Sequence, residues 1–148
     1  MFLAQIIEIS TGMLTPLIAI ITTYIAWQQW KTSKLKLNLE RYDRRLRVYE
    51  EVIKILSIVM VHAKASDEDL LNFKINVSQA DFLFGAEVPN YINEICNKAV
   101  SLRLHNQRAS NHPNYDNSVQ KEHETLAWLA SQFKDAKEIF KKYLDISK

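Results

Sequence analysis

Glycine, proline and cysteine are scarce in this chain of 148 residues. The two glycines, Gly12 and Gly85, are too far apart to build a phosphate-cradling loop. The three prolines leave long stretches without a helix breaker, and neither Gly nor Pro occurs between Lys31 and Phe84. A single cysteine, Cys96, excludes an internal disulfide framework and fits a reducing compartment. Its position after the apolar Ile95 suits a small hydrophobe in a core. The four histidines, His62, His105, His112 and His123, show no metal-ligand spacing. Glu122-His123-Glu124 points to different faces of a helix. No serine, cysteine or threonine stands in a recognised nucleophile motif. The expectation is a protein with no catalytic residues, no metal and no cofactor, and therefore not an enzyme.

Charge is also missing, but only locally. From Ile9 to Trp30 there are 22 residues without Asp, Glu, Lys or Arg, and ~20 apolar residues suffice for a helix to span a bilayer. Tyr24, Trp27 and Trp30 lie at the end of this run, where aromatic rings favour the headgroup level of a membrane interface. Residues 31 to 47 then hold seven basic residues against two acidic ones, a local +5, while residues 48 to 148 carry 12 basic and 14 acidic ones. A signal peptide requires basic residues before its apolar core, and MFLAQIIE has none. We expect residues 1–30 to form a lead-in and a transmembrane helix. Pro16 either opens that helix, with Thr15 as cap, or kinks it. The positive-inside rule puts the N-terminus outside and residues 31 to 148 in the cytoplasm.

Beyond the basic stretch, apolar residues follow the spacing of helices. Leu35, Leu39, Tyr42, Leu46, Tyr49, Ile53, Leu56 and Met60 alternate by four and three, a heptad seam along a helix over about 33–63. Val48, Val52, Ile55 and Val59 form a second stripe. Ser66-Asp67-Glu68-Asp69 reads as a capping box for a second helix ending at Gly85. Its stripe is Leu70, Phe73, Val77, Ala80 and Phe84. Pro89 falls in the first turn of a third helix, striped by Val88, Ile92, Ile95, Ala99 and Leu102. SNHPNYDNS, residues 110 to 118, is a loop. A fourth helix covers about 119–145, with Leu126, Leu129, Phe133, Ala136, Phe140 and Tyr143 on its seam. The predicted fold class is all-α: residues 31–47 as the basic juxtamembrane part of the first cytoplasmic helix, and residues 48–148 as an antiparallel helical bundle.

RYDRRLRVYEEV, ADFLFGAEVPNYINEICNKAV and LAWLASQFKDAKEIFKKYL resemble three blocks of a widespread family of uncharacterised bacterial proteins. Its members join an N-terminal membrane segment to an FDKRYEVYEAV-like helix, an FLFxxEI block and a C-terminal helix ending FxxYL. The similarity covers about residues 42 to 144. Leu46 replaces the usual aromatic, and Gly85-Ala86 replaces acidic residues. The resemblance implies a helical domain anchored in the bacterial inner membrane, and no activity.

Two surfaces are candidates for interaction. Lys31, Lys34, Arg41 and Arg45 could bind an anion: a lipid headgroup, an acidic protein or an anionic small molecule. The plainer reading is solvated charge, with Glu40–Arg44, Asp43–Arg47, Arg47–Glu51 and Glu50–Lys54 as i,i+4 pairs. Leu35, Leu39, Tyr42 and Leu46 could form an oligomer or partner seam if the bundle fails to cover them. Thr15, Ala19, Thr22, Thr23 and Ala26 are small or hydroxyl-bearing residues that suit helix packing in a bilayer. Nucleic-acid binding is not expected, because no reading motif or aromatic-rich basic face is present. The expected function is a non-catalytic, self-associating, single-span membrane protein with a cytoplasmic interaction or sensing domain. The alternative is an oligomeric effector that perturbs the bilayer in stress or anti-phage defence.

Overall fold

The computed structural model describes the backbone of residues 2–111 and 116–145 and the side chains of residues 16–107 and 120–145. These residues are helical throughout, with short connections. The elements are α1 (Phe2–His62), α2 (Asp67–Asn76), α3 (Ala80–Leu83), α4 (Glu87–Asn111) and α5 (Asp116–Lys141). The chain divides into two compact units, residues 1–40 and residues 41–148.

In the first unit α1 has every described side chain, from Pro16 to Glu40, exposed. Pro16 lies inside α1, so it does not open the helix. Its missing N–H removes one bond from the backbone ladder. Threonine hydroxyls here turn back onto the helix. Thr22 Oγ1 donates to the Ile18 carbonyl at 2.9 Å, and Thr23 Oγ1 to that of Ala19 at 2.8 Å. The expected transmembrane helix over residues 9 to 30 finds no support in the described residues, among which no helix is long and apolar enough to cross a membrane. The charge-free run lies partly outside the described side chains. Its 15 residues from Pro16 to Trp30 would reach only about 22 Å at ~1.5 Å per residue, against a hydrocarbon thickness of ~30 Å.

The second unit is an up-down-up-down bundle. Lys142 meets Glu87, Tyr91 meets Gln132 and Lys98 lies over Trp128, so α5 runs antiparallel to α4. Tyr49 packs on Phe140, and Asn106 donates to the Ala63 carbonyl, which fixes the remaining directions. The core draws on every helix: Val52 and Leu56 from α1, Phe73 from α2, Ile95 and Leu102 from α4, Leu129 and Phe140 from α5. Cys96 is buried among them.

The two apolar stripes of α1 differ in depth. Val48, Val52, Ile55 and Val59 are all buried, whereas the eight-residue heptad seam runs from exposed Leu35 and Leu39 through half-buried Tyr49 and Ile53 to buried Leu56 and exposed Met60. Two apolar lines lie side by side here, and spacing alone does not say which one the bundle covers. The second predicted helix is broken as well. Its capping box is present, with Asp69 N–H donating to Ser66 Oγ at 3.1 Å and Ser66 N–H to Asp69 Oδ2 at 3.1 Å. The helix stops at Asn76 and restarts at Ala80. Turn bonds such as Ala80 N–H to the Val77 carbonyl keep the phase, so Leu70, Phe73, Val77, Ala80 and Phe84 all remain buried. Helices replace both ends of the expected loop over 110–118: α4 reaches Asn111 and α5 starts at Asp116. Residues 112–115, with His112, lie outside the described residues.

Candidate functional site

Arg45 has the densest polar surroundings of the basic stretch. It sits one step above Val48, Val52, Ile55 and Val59, continuing their four-three spacing, and so points where that line enters the bundle. Its Nε donates to the Leu83 carbonyl at 3.0 Å and an Nη1 hydrogen to that of Tyr143 at 3.1 Å. Leu83 closes α3 and Tyr143 lies just past α5, where backbone oxygens lack helical partners and carry partial negative charge. The guanidinium also lies 5.8 Å from the Phe84 ring centroid and 5.7 Å from that of Tyr143. These rings meet edge-on at 5.2 Å, and Phe84 meets Phe140 the same way at 5.3 Å. Arg45 therefore clips the ends of α3 and α5 onto α1. Gly85 belongs to this clip: a Cβ there would meet the Tyr143 hydroxyl at 3.3 Å.

The other three residues of the basic set do different things. Lys31 Nζ lies 5.7 Å from the Trp27 ring and Lys34 Nζ 5.3 Å from Trp30. Both stacks join residues four apart on an exposed helix, the spacing that puts side chains on one face. Tyr24 and Trp27 are tilted neighbours at 6.4 Å. Tyr24, Trp27 and Lys31 form one cluster and Trp30 and Lys34 a second, together an aromatic-and-basic collar. Arg41 is exposed. The structure does not gather Lys34, Arg41 and Arg45 into one stripe, because Arg45 is committed to the clip. Of the expected i,i+4 pairs, Lys54 is drawn instead to Glu51 at 3.4 Å, and Glu51 also accepts from Asn76 Nδ2 at 3.1 Å.

In the expected partner seam, Leu35 and Leu39 are exposed, at 61% and 47%, while Tyr42 and Leu46 are half-buried. Buried polar groups elsewhere are satisfied within the fold. Tyr91 Oη donates to the Gln132 carbonyl at 3.0 Å, and burial raises its hydroxyl well above the usual tyrosine range. Gln132 itself donates to the Trp128 carbonyl. Among the described residues no group of three His, Cys, Asp or Glu side chains could hold a metal ion. The sequence reading missed the Arg45 clip. Its signal was present in the spacing 41, 45, 48, 52, 55, 59, a charged position on a core line. No protein-family model, curated protein or solved structure matches this chain.

Proposed function

We propose that this protein is a non-catalytic, membrane-anchored helical interaction module that self-associates. The anchor is the charge-free run from Ile9 to Trp30, crossing the bacterial inner membrane once with the N-terminus outside. The observation that carries the reading is the collar. Tyr24, Trp27 and Trp30 end the charge-free run, and Lys31 and Lys34 fold back over two of those rings. An indole at headgroup depth with an ammonium above it suits an interface where anionic lipid meets water. Residues 41–148 supply the cytoplasmic domain, and exposed Leu35 and Leu39 supply the association surface. Thr22 and Thr23 satisfy their hydroxyls on their own helix, which suits a lipid-facing anchor better than the polar lining of a pore.

The test is fractionation of a bacterial host producing the full chain. The reading expects the protein in the membrane fraction after alkaline carbonate washing, with residues 41–148 cut only when protease reaches the cytoplasmic side. Release by carbonate would remove the span. Span-dependent depolarisation of the host would favour the effector instead.

A further inference from the structure

The four-three register of the seam does not begin at Leu35. Counting back in the same rhythm gives Thr32, Gln28, Ile25, Ile21 and Ile18. These positions and Leu39 all lie on the part of α1 whose described side chains are exposed. An isolated helix with 3.6 residues per turn drifts ~20° per heptad from a 3.5-residue repeat, so a line held in phase over this length fits a second helix wound beside it. The line also has an internal order: three isoleucines, then the polar pair Gln28 and Thr32, then two leucines. Such a polar layer sets register in paired helices. Gln28 Nε2 donates to the Tyr24 hydroxyl at 3.2 Å, and its second amide hydrogen and its carbonyl suffice for two copies facing each other to bond one another. Of the aromatic-and-basic collar, Trp27, Trp30 and Lys34 project from other faces of the helix, while Tyr24 and Lys31 flank the line.

We infer that residues 18–39 pair with the same residues of a second copy as a parallel, in-register two-helix coil, with Gln28 and Thr32 as the registering layer. This rests on the membrane-anchored, self-associating reading above, because anchoring both copies from the same side makes them parallel. Parallel alignment also stacks the polar layer on itself and keeps the two collars level. Lys31 and Lys36 flank the line and face each other across such a pair. That layer is electrostatically unfavourable, so the pairing tightens as added salt screens it.

Single cysteines test the geometry in full-length protein in detergent, with buried Cys96 left in place and the unmodified chain as blank. Mild oxidation is expected to give a covalent dimer from Leu35→Cys and from Leu39→Cys, both on the line, and none from Leu37→Cys, which faces away. Light scattering on the same samples separates the two claims. An oligomer in which Leu37→Cys crosslinks, or in which neither seam cysteine does, overturns the parallel pairing and leaves self-association standing. A single-chain mass overturns both.

Discussion

Leu39 and Leu56 stand on the same heptad line of α1, yet Leu39 is 47% exposed and Leu56 is fully buried. Nothing about the two residues themselves differs. What differs is the company: α2, α4 and α5 gather around the helix beyond Arg41, and no other element accompanies it before Glu40 in the first unit. The comparison separates two uses of one helix. In the bundle its apolar face is consumed by folding. Before the bundle the same periodicity is left over, and the interaction proposed above is built on that leftover apolar line, flanked by Tyr24 and Lys31.

The largest way to sharpen this contrast is to truncate one side chain on each side of it. Phe140→Ala removes a fully buried ring from the core and is expected to destabilise the fold by about 3–5 kcal/mol. Leu37→Ala is expected to change stability by no more than about 0.5 kcal/mol. Urea titration of the full-length chain followed by circular dichroism checks both, and comparable losses would erase the distinction.

Next in size is Arg45 against Arg41. Arg45→Met leaves the Leu83 and Tyr143 carbonyls without their donor and is expected to cost about 2–3 kcal/mol. Arg41→Met should be near neutral, because that side chain is exposed. Arg45→Lys should rescue only part of the loss, since one ammonium cannot reproduce the planar fork. Melting temperatures of the three variants decide whether Arg45 is a clip or a spare charge.

Smaller effects come from the joints. Ser66→Ala removes the cap of α2 and is expected to cost about 1 kcal/mol. Its partner Asp69 has its carboxyl held below the usual range, chiefly by the Ser66 side-chain hydrogen bond. A carboxyl lowered by folding contributes stability that is present above pH ~4 and lost as pH falls through its folded value. The acid limb of the stability curve should therefore flatten slightly in Ser66→Ala. Tyr91 has the opposite sign, its hydroxyl held protonated by burial. The stability this adds is intact below pH ~10 and is lost as the pH rises through its folded value. Alkaline absorbance titration of Tyr91→Phe should lose a late-titrating tyrosine. The smallest change is Ala63→Gly. Ala63 has φ 51° in the left-handed region, and glycine there should be neutral or stabilising by up to about 1 kcal/mol.

Much of the bundle was legible in the sequence because burial there follows periodicity. The stripes Leu70–Phe84 and Val88–Leu102 are buried residue for residue. The Ser66 cap was readable because a capping box needs only local residues. The break at residues 77–79 was not readable, since its turn bonds preserve the spacing of the stripe. On α1 the periodicity showed both stripes but not their depth. Two neighbouring lines were both apolar, and choosing between them required the helices that come later in the chain. The spacing that continues the core line to Arg45 continues it to exposed Arg41 as well, so it does not single out the clip until Leu83 and Tyr143 are brought to Arg45.

The most direct test of the account is the mass of the full-length protein in detergent, by light scattering, beside the Leu35→Asp/Leu39→Asp double variant. The account predicts a defined small oligomer for the unmodified chain. It predicts one chain for the variant, with the helical signal and melting temperature of the bundle unchanged. An unmodified chain that already runs as a single copy, or a variant that assembles just as well, would contradict it.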